Sequence, residues 1–198
     1  MKEQLIVTIG REFGSGGHYI ASQLSEKLSI PLLDKQLIED IVAAYGIDKN
    51  EFFKYDGKPA NKIASRRIGN YSNSLEEYTA HRVFDFIKKE AEMGASFVVV
   101  GRCGGYVLRD NDNCIRFFII GDKEDKIARV MKKYGVSEKK ALEMIKSNDK
   151  KRKVYHNYYT DTKWGTTVGY DFIINSSKLG LDATAEAIRN LVEQFRNG

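Results

Sequence analysis

The chain is poor in cysteine and proline and has no long apolar run, and each shortage closes off a class of protein. Two cysteines in 198 residues, Cys103 and Cys114, make neither a disulfide framework nor a zinc spacing, so a reducing compartment fits the composition. No apolar run approaches the ~20 residues that span a bilayer, so no membrane partner is expected. The opening "MKEQLIVTIG" enters a strand at once, without the anatomy of a signal peptide, which predicts a cytoplasmic protein. Internal repeats and low-complexity tracts are also missing. What remains is a soluble globular composition, 42% hydrophobic and 30% charged, of a length that suits one domain.

The net charge of +5 is unevenly placed. Between Asp122 and Lys163 there are 13 Lys and Arg against 7 Asp and Glu, so the basic surplus of the whole chain lies in this one segment. Such a segment is either a solvated, lysine-studded helix pair or a surface that meets polyanions.

Hydrophobic periodicity gives the order of elements. "LIVTI" (5–9) is a short β-branched run of the kind that fills a central parallel strand, and Ile20, Leu24 and Leu28 mark one face of the helix after it. "IPLLD" is a second brief strand ending at Asp34, and Leu37, Ile38, Ile41 and Val42 mark the next helix. From Tyr45 to Ser74 the pattern loosens, as in an insertion with little core of its own. A helix resumes near Leu75 with Val83, Phe84, Ile87 and Ala91 on one side. "SFVVVG" and "CIRFFII" are buried strands, and the second ends at Gly121-Asp122, a pair placed to cap the helix carrying Ile127, Val130, Met131 and Tyr134. Ser137 caps the lysine-rich helix that follows, "YDFIIN" is the last strand, and Asp182 is placed to cap a final helix. Strands alternating with helices predict a parallel sheet covered on both faces, with ligands at the carboxyl ends of the strands.

The first such strand end reads "VTIGREFGSGGHYIA". Gly14, Gly16 and Gly17 remove the Cβ atoms that would hold a phosphate oxygen away, Ser15 adds a hydroxyl, and the helix begun near His18 offers unpaired amides and the positive end of its dipole. A phosphate loop normally ends in Gly-Lys-Ser/Thr, whose lysine reaches the outer phosphates and whose hydroxyl holds Mg²⁺. Here Gly17 and His18 stand in those places, and Arg11 is the nearest cation able to supply charge from the other side.

Four stretches carry a wider likeness: "VTIGREFGSGGHYIASQLSEKLSIPLLDKQLI", "FVVVGRCGGYVLR", "DKKRKVYHNYYTDTKWG" and "YDFIINSSKLGLD". In order and spacing they resemble the cytidylate kinase-like family, a branch of the P-loop nucleoside monophosphate kinases. The resemblance implies a three-layer α/β/α fold with a five-stranded parallel sheet. It further implies one domain over 1–198, with an acceptor-binding insertion near 45–80 and a basic lid near 135–165. It implies ATP and Mg²⁺ as cofactors and transfer of the γ-phosphate to a nucleoside monophosphate, CMP or dCMP above others. By the same resemblance Gly14, Ser15, Gly16, Gly17 and His18 form the donor loop, and Asp34 helps hold the acceptor. Arg102 of "GRC" lies at the acceptor phosphate, and Lys150, Lys151 and Arg152 supply the lid's cations. Arg11 and Arg102 join those three in the catalytic set, because phosphoryl transfer is mostly positioning and charge neutralisation. The loop after "FIIN" is expected beside the donor base.

Three departures stand against the commonest pattern: Gly17 for the lysine, Cys103 for the acid of "GRD", and Asn175 for an acid ending the last strand. The resemblance implies that "GSGG" and "GRC" are features of this branch. Other roles stay open at this point: Arg102 pairing with a carboxylate, Asp34 as a helix N-cap, and the "VYHNYYTDTKWG" aromatics packing the lid onto the sheet. The Mg²⁺ ligands are unassigned, with Glu12, Asp34 and Asp122 as candidates. A non-catalytic nucleotide sensor and a kinase of another small metabolite remain as alternatives, and nucleic acid is disfavoured as a partner.

Overall fold

The computed structural model describes residues 3–34, 55, 57–59, 67–68, 71–72 and 74–198. The helix expected at Leu37–Val42 and most of the 45–74 insertion lie outside the described residues. Strand β1 (Ile6–Arg11) leads through the glycine turn to α1 (Gly17–Leu28) and the two-residue β2 (Leu32–Leu33). A small antiparallel pair, β3 (Arg67–Ile68) and β4 (Tyr71–Ser72), precedes α2 (Leu75–Glu92) and β5 (Phe97–Val100). Then come α3 (Gly104–Val107), β6 (Cys114–Ile120), α4 (Lys123–Tyr134), α5 (Glu138–Tyr159), β7 (Phe172–Asn175), α6 (Ser176–Leu179) and α7 (Leu181–Asn197).

The main sheet has five parallel strands in the order β2-β5-β1-β6-β7. β1 lies at the centre, which is why its residues are apolar on both faces. Leu5, Val7 and Ile9 point to one layer with Val98, Val100, Ile115, Phe117 and Ile119, packed by Ile20, Ala21 and Leu24 of α1 and Ala185, Ile188 and Val192 of α7. Ile6, Phe97 and Val99 point the other way, against Val83, Phe84 and Ile87 of α2 and Tyr155 of α5. β7 departs from the buried-strand expectation. It is an edge strand, and Phe172 and Ile173 keep more than a third of their surface exposed.

On the second face the core stops short. The pairing sets Thr8 beside Arg116 and Gly10 beside Phe118, so a polar side chain, a charge and a glycine occupy positions where the first face carries apolar residues. Arg116 is held by Asp171: its Nε and Nη2 donate to the two carboxylate oxygens at 3.1 and 2.9 Å, and its backbone N–H donates at 2.8 Å. This pairing pushes the Arg116 pKa up and clamps β6 to the start of β7. The gap left in the core becomes a cavity.

The α4–α5 pair forms a third cluster, with Ile127, Val130, Ala141 and Ile145 around Phe13. Ser137 caps α5, its Oγ accepting from the Lys140 N–H at 3.4 Å, as the sequence predicts. Two expected caps are corrected. Asp122 sits at the N-cap of α4 but its carboxylate accepts instead from Asn175 Nδ2 and Lys178 Nζ, both at 2.7 Å. Gly180 precedes α7, and Asp182, inside the first turn, accepts from the Tyr19 hydroxyl at 2.6 Å.

Candidate active site

The glycine turn is built by backbone geometry. Gly14 and Gly16 take φ of 83° and 80°, a region that disfavours any Cβ. α1 starts at Gly17, so the amides of its first turn have no partner within the helix and point into the turn's concavity. Ser15 is fully buried and its hydroxyl donates to the Glu12 carbonyl at 2.9 Å. The side-chain donor expected there is therefore committed to shaping the loop. Ser176 holds the turn from beneath, donating to the carbonyls of Ser15 at 2.6 Å and Ile120 at 3.1 Å. In this way "FIINSS" buttresses the loop.

A cavity of about 570 Å³ opens over this turn, lined by Gly14, Gly16, Gly17 and His18 and flanked by Arg11, Arg129, Lys133 and Arg152. Its backbone cradle and four cations fit a triphosphate. Glu12 is the carboxylate in its wall. One oxygen of Glu12 accepts from Lys126 Nζ at 2.7 Å and from the Gly121 N–H at 3.3 Å. Among the described residues no cluster of three metal-binding side chains exists. Mg²⁺ takes one or two carboxylates beside phosphates and water, and Glu12 is the residue of this wall that could hold it with its second oxygen.

A second cavity, of about 240 Å³, lies under α3 and the end of α5, in the gap left by the core. Thr8, Gly10 and Arg116 form its floor, Arg102 and Arg109 one side, and His156, Trp164 and Tyr170 the roof. The roof is fixed by aromatic packing: Trp164 meets Phe118 edge-on at 5.2 Å and Tyr170 tilts against the same ring at 4.9 Å. His156 Nε2 lies 3.0 Å from the Thr162 hydroxyl, and burial lowers its pKa, which favours the uncharged ring at neutral pH. Gly101, Arg102 and Cys103 are three consecutive residues at positive φ, of 74°, 56° and 54°. Arginine and cysteine adopt that region only under strain, and the bend turns Arg102 into this cavity.

Arg11 and Arg152 line both cavities. Arg152 donates from Nη1 to the Arg11 carbonyl at 3.1 Å, lies 3.8 Å from Asp149, and stands over the Phe13 ring. Asp149 also accepts from the Phe13 N–H at 2.7 Å, which ties α5 to the loop. Arg11 has no ion pair within 4 Å and donates no side-chain hydrogen bond among the described residues. Its pKa falls to about 9, first through burial and then through the charges of Arg152 and Arg102, with Asp149 opposing. Burial likewise lowers the pKa of Arg152.

The direction of the Arg11 shift makes a prediction. In the folded chain Arg11 holds its proton less tightly than in the unfolded chain, so carrying the charge at neutral pH destabilises the unliganded protein. That penalty is complete below pH 9 and fades as pH rises above it. Arg11→Met is expected to melt higher than the wild type at pH 7 without ligand, the gap beginning to narrow by pH 10, and to show a smaller stabilisation by ATP. A melting scan at several pH values checks all three.

The structure brings Arg11, Arg102 and Arg152 together and sets the glycine loop beside them. Lys150 and Lys151 are exposed on α5 and line neither cavity. Asp34 accepts or shares a hydrogen bond with His18 Nε2 at 3.0 Å, at the mouth of the loop. Sequence reasoning missed Arg109, Arg116, Arg129, Lys133 and Asp149. For Arg116 the signal was present as the one charge inside "CIRFFII".

These cavities lie at the carboxyl ends of the central strands, one built on a glycine turn and one on "GRC". The sequence matches the cytidylate kinase-like family over residues 6–178. The chain belongs to that family. A solved structure of an uncharacterized protein from Eubacterium ventriosum ATCC 27560 is 39% identical, with 96% of this chain and 99% of that chain covered and a TM-score of 0.76. Shikimate kinase from Bacteroides thetaiotaomicron (12% identity, 96% and 98% covered, TM-score 0.56) shares the fold. So does a gluconokinase from Sinorhizobium meliloti 1021 (10% identity, 100% and 96% covered, TM-score 0.58). The sheet order of this cytidylate kinase-like chain is that of the P-loop kinases. A comparison with curated protein sequences gave no match. Among the described residues no helix is long and apolar enough to cross a membrane.

Proposed function

We propose that the protein transfers the γ-phosphoryl group of ATP, seated on the glycine turn, to a nucleoside monophosphate, CMP or dCMP foremost, in the second cavity. The observation that carries this reading is the shared wall. Arg11 and Arg152 are the cations that line both cavities, where a phosphoryl group passing between them would lie. An oxygen of the acceptor phosphate forms the new bond to the γ-phosphorus while the bond to the β,γ-bridging oxygen breaks, giving ADP and a nucleoside diphosphate. A phosphate acceptor is already anionic at neutral pH, so no strong base is required, in keeping with a neutral His156. Arg102 grips the acceptor phosphate, the α1 amides and Arg129 grip the donor, and Mg²⁺ when bound neutralises the donor phosphates. Trp164 and Tyr170 exclude water from the acceptor. Because these rings pack inward, they serve as a wall rather than a platform for nucleic-acid bases.

One observation favours a second reading, a nucleotide-binding sensor: the loop has no lysine, and its only serine hydroxyl is bonded to Glu12. An assay of ADP formation with ATP, Mg²⁺ and each of CMP, dCMP, UMP, AMP and GMP separates the two, with a small hydroxylated metabolite as a further tube. Acceptor-dependent ADP that disappears in Arg102→Ala is the expected result. ADP in no tube, with ATP still raising the melting temperature, supports the sensor.

A further inference from the structure

The glycine at position 17 has no backbone reason to be there. It is the first residue of α1 and has no positive φ, unlike Gly14 and Gly16. What excludes a side chain is Arg11: a Cβ on Gly17 would lie 2.6 Å from the Arg11 Cβ and 3.0 Å from its Cγ. The Cβ is fixed by the β1 backbone and cannot swing aside as a chain end can, and the Cγ of the arginine stem narrows the space further. At the other end of the same side chain, a Cβ on Gly101 would lie 2.0 Å from Arg11 Nη1. The arginine thus runs from β1 across the first turn of α1 to the "GRC" bend, with a glycine flanking it at each end.

We infer that Gly17 and Gly101 form a slot for Arg11, and that Arg11 is the relocated loop cation of this protein, occupying the space a lysine at position 17 would need. A side chain at position 17 and the stem of Arg11 then contend for one space. The relocation has a chemical consequence. A loop lysine reaches the donor phosphates from the helix, whereas Arg11 comes from the strand and ends between the two cavities, beside Arg102 and Arg152. Its planar guanidinium can contact donor and acceptor phosphates together, which a single ammonium does less well. The lack of an ion-pair partner among the described residues fits a cation whose counter-charge is the ligand. The reading also accounts for a kinase-like loop that keeps its glycines and omits its lysine.

This inference rests on the proposed phosphoryl transfer for its purpose, but binding tests it separately. ATP affinity would be measured by titration calorimetry for wild type, Arg11→Ala, Gly17→Lys and the double variant Arg11→Gly/Gly17→Lys, with circular dichroism to check folding. Arg11→Ala is expected to bind ATP at least tenfold more weakly. Gly17→Lys, where both side chains contend for one space, is expected to bind no better than wild type and to melt lower. The double variant, in which the lysine enters the vacated slot, is expected to regain most of the loss. If Gly17→Lys does not fold, Arg11→Ala and the double variant still decide the matter, since glycine at position 11 removes both the Cβ and the Cγ that a side chain at position 17 would meet. Wild-type affinity in Arg11→Ala, or a folded double variant no better than Arg11→Ala, would overturn the slot. A wild type that binds ATP through Arg11 yet transfers nothing keeps the slot and removes the transfer reading. Transfer at the wild-type rate in Arg11→Ala does the reverse.

Discussion

Replacing Arg152 by alanine is expected to slow phosphoryl transfer by roughly 100- to 1,000-fold, the range seen when one preorganised transition-state donor is removed. The expectation follows from position. Arg152 lines both cavities, bonds the carbonyl of Arg11, and is held by Asp149, whose other tie runs to the backbone of Phe13. In the proposed transfer its loss takes one cation from the moving phosphoryl group and loosens α5 from the glycine turn, so kcat should fall more than KM rises. Lys150→Ala and Lys151→Ala provide the contrast. Both lysines are exposed and outside the cavities, and each change should lower the rate less than tenfold, mostly through long-range attraction that added salt suppresses. Steady-state kinetics of the three variants measure the difference. Equal losses in all three would mean that the lid acts as a diffuse basic surface.

Gly16→Ala is expected to have the largest effect on stability and to weaken nucleotide binding with it. Gly16 has φ of 80°, and an added Cβ would lie 2.3 Å from Leu181 Cδ2. The left-handed backbone alone costs about 1–3 kcal/mol for a non-glycine residue. For a chain of this size that is a fall in melting temperature of roughly 2–12 °C, before any packing strain. Gly135 serves as the control, because it too is left-handed, at φ of 64°, but a Cβ there meets nothing within 4 Å. Gly135→Ala should show the backbone penalty only and keep its response to ATP. Gly16→Ala should melt lower than that and lose most of the ATP-induced shift, and Leu181→Ala should restore part of its stability. Thermal melts with and without ATP cover the set. Equal melting temperatures for the two glycine variants would show that Leu181 yields freely and the loop tolerates the change.

Much of this architecture was legible from local patterns. "LIVTI" read as a central strand and "SFVVVG" as a buried one because a parallel strand covered on both faces is apolar throughout, and in the sheet β1 is central with β5 beside it. The glycine turn was legible because positive φ leaves few other residues to use. Ser15 was misjudged in its detail. A hydroxyl in a phosphate loop looks like a donor to the ligand, and only the fold shows it turned toward the Glu12 carbonyl. Asp122 and Asp182 satisfied the helix-start rule, but both carboxylates went to neighbours distant in sequence, Lys178 and Tyr19. Long-range partners outbid local caps when they come with an opposite charge or a directed hydroxyl.

Helix α5 divides its charges by helical phase. Ile145, Asp149, Arg152 and Tyr155–His156 recur at three- and four-residue steps, so they share the face of α5 that turns inward, with Ile145 and Tyr155 buried on it. Lys150 and Lys151 are rotated away from that stripe. The phase was available in the sequence, but the motif "DKKRK" draws attention to charge count rather than to direction. Arg116 was harder to see. Its role depends on Thr8 and Gly10 standing beside it on β1, a register that only strand pairing fixes.

In the proposed reaction a phosphoryl group crosses from the glycine turn to an acceptor in the second cavity, past Arg11 and Arg152. The most direct test incubates the wild-type protein with γ-³²P-labelled ATP, Mg²⁺ and CMP, then separates the products. Label recovered in CDP, with little inorganic phosphate and none transferred in Arg102→Ala, is the predicted result. Label that stays in ATP, or appears only as inorganic phosphate at a rate indifferent to CMP, would contradict the claim.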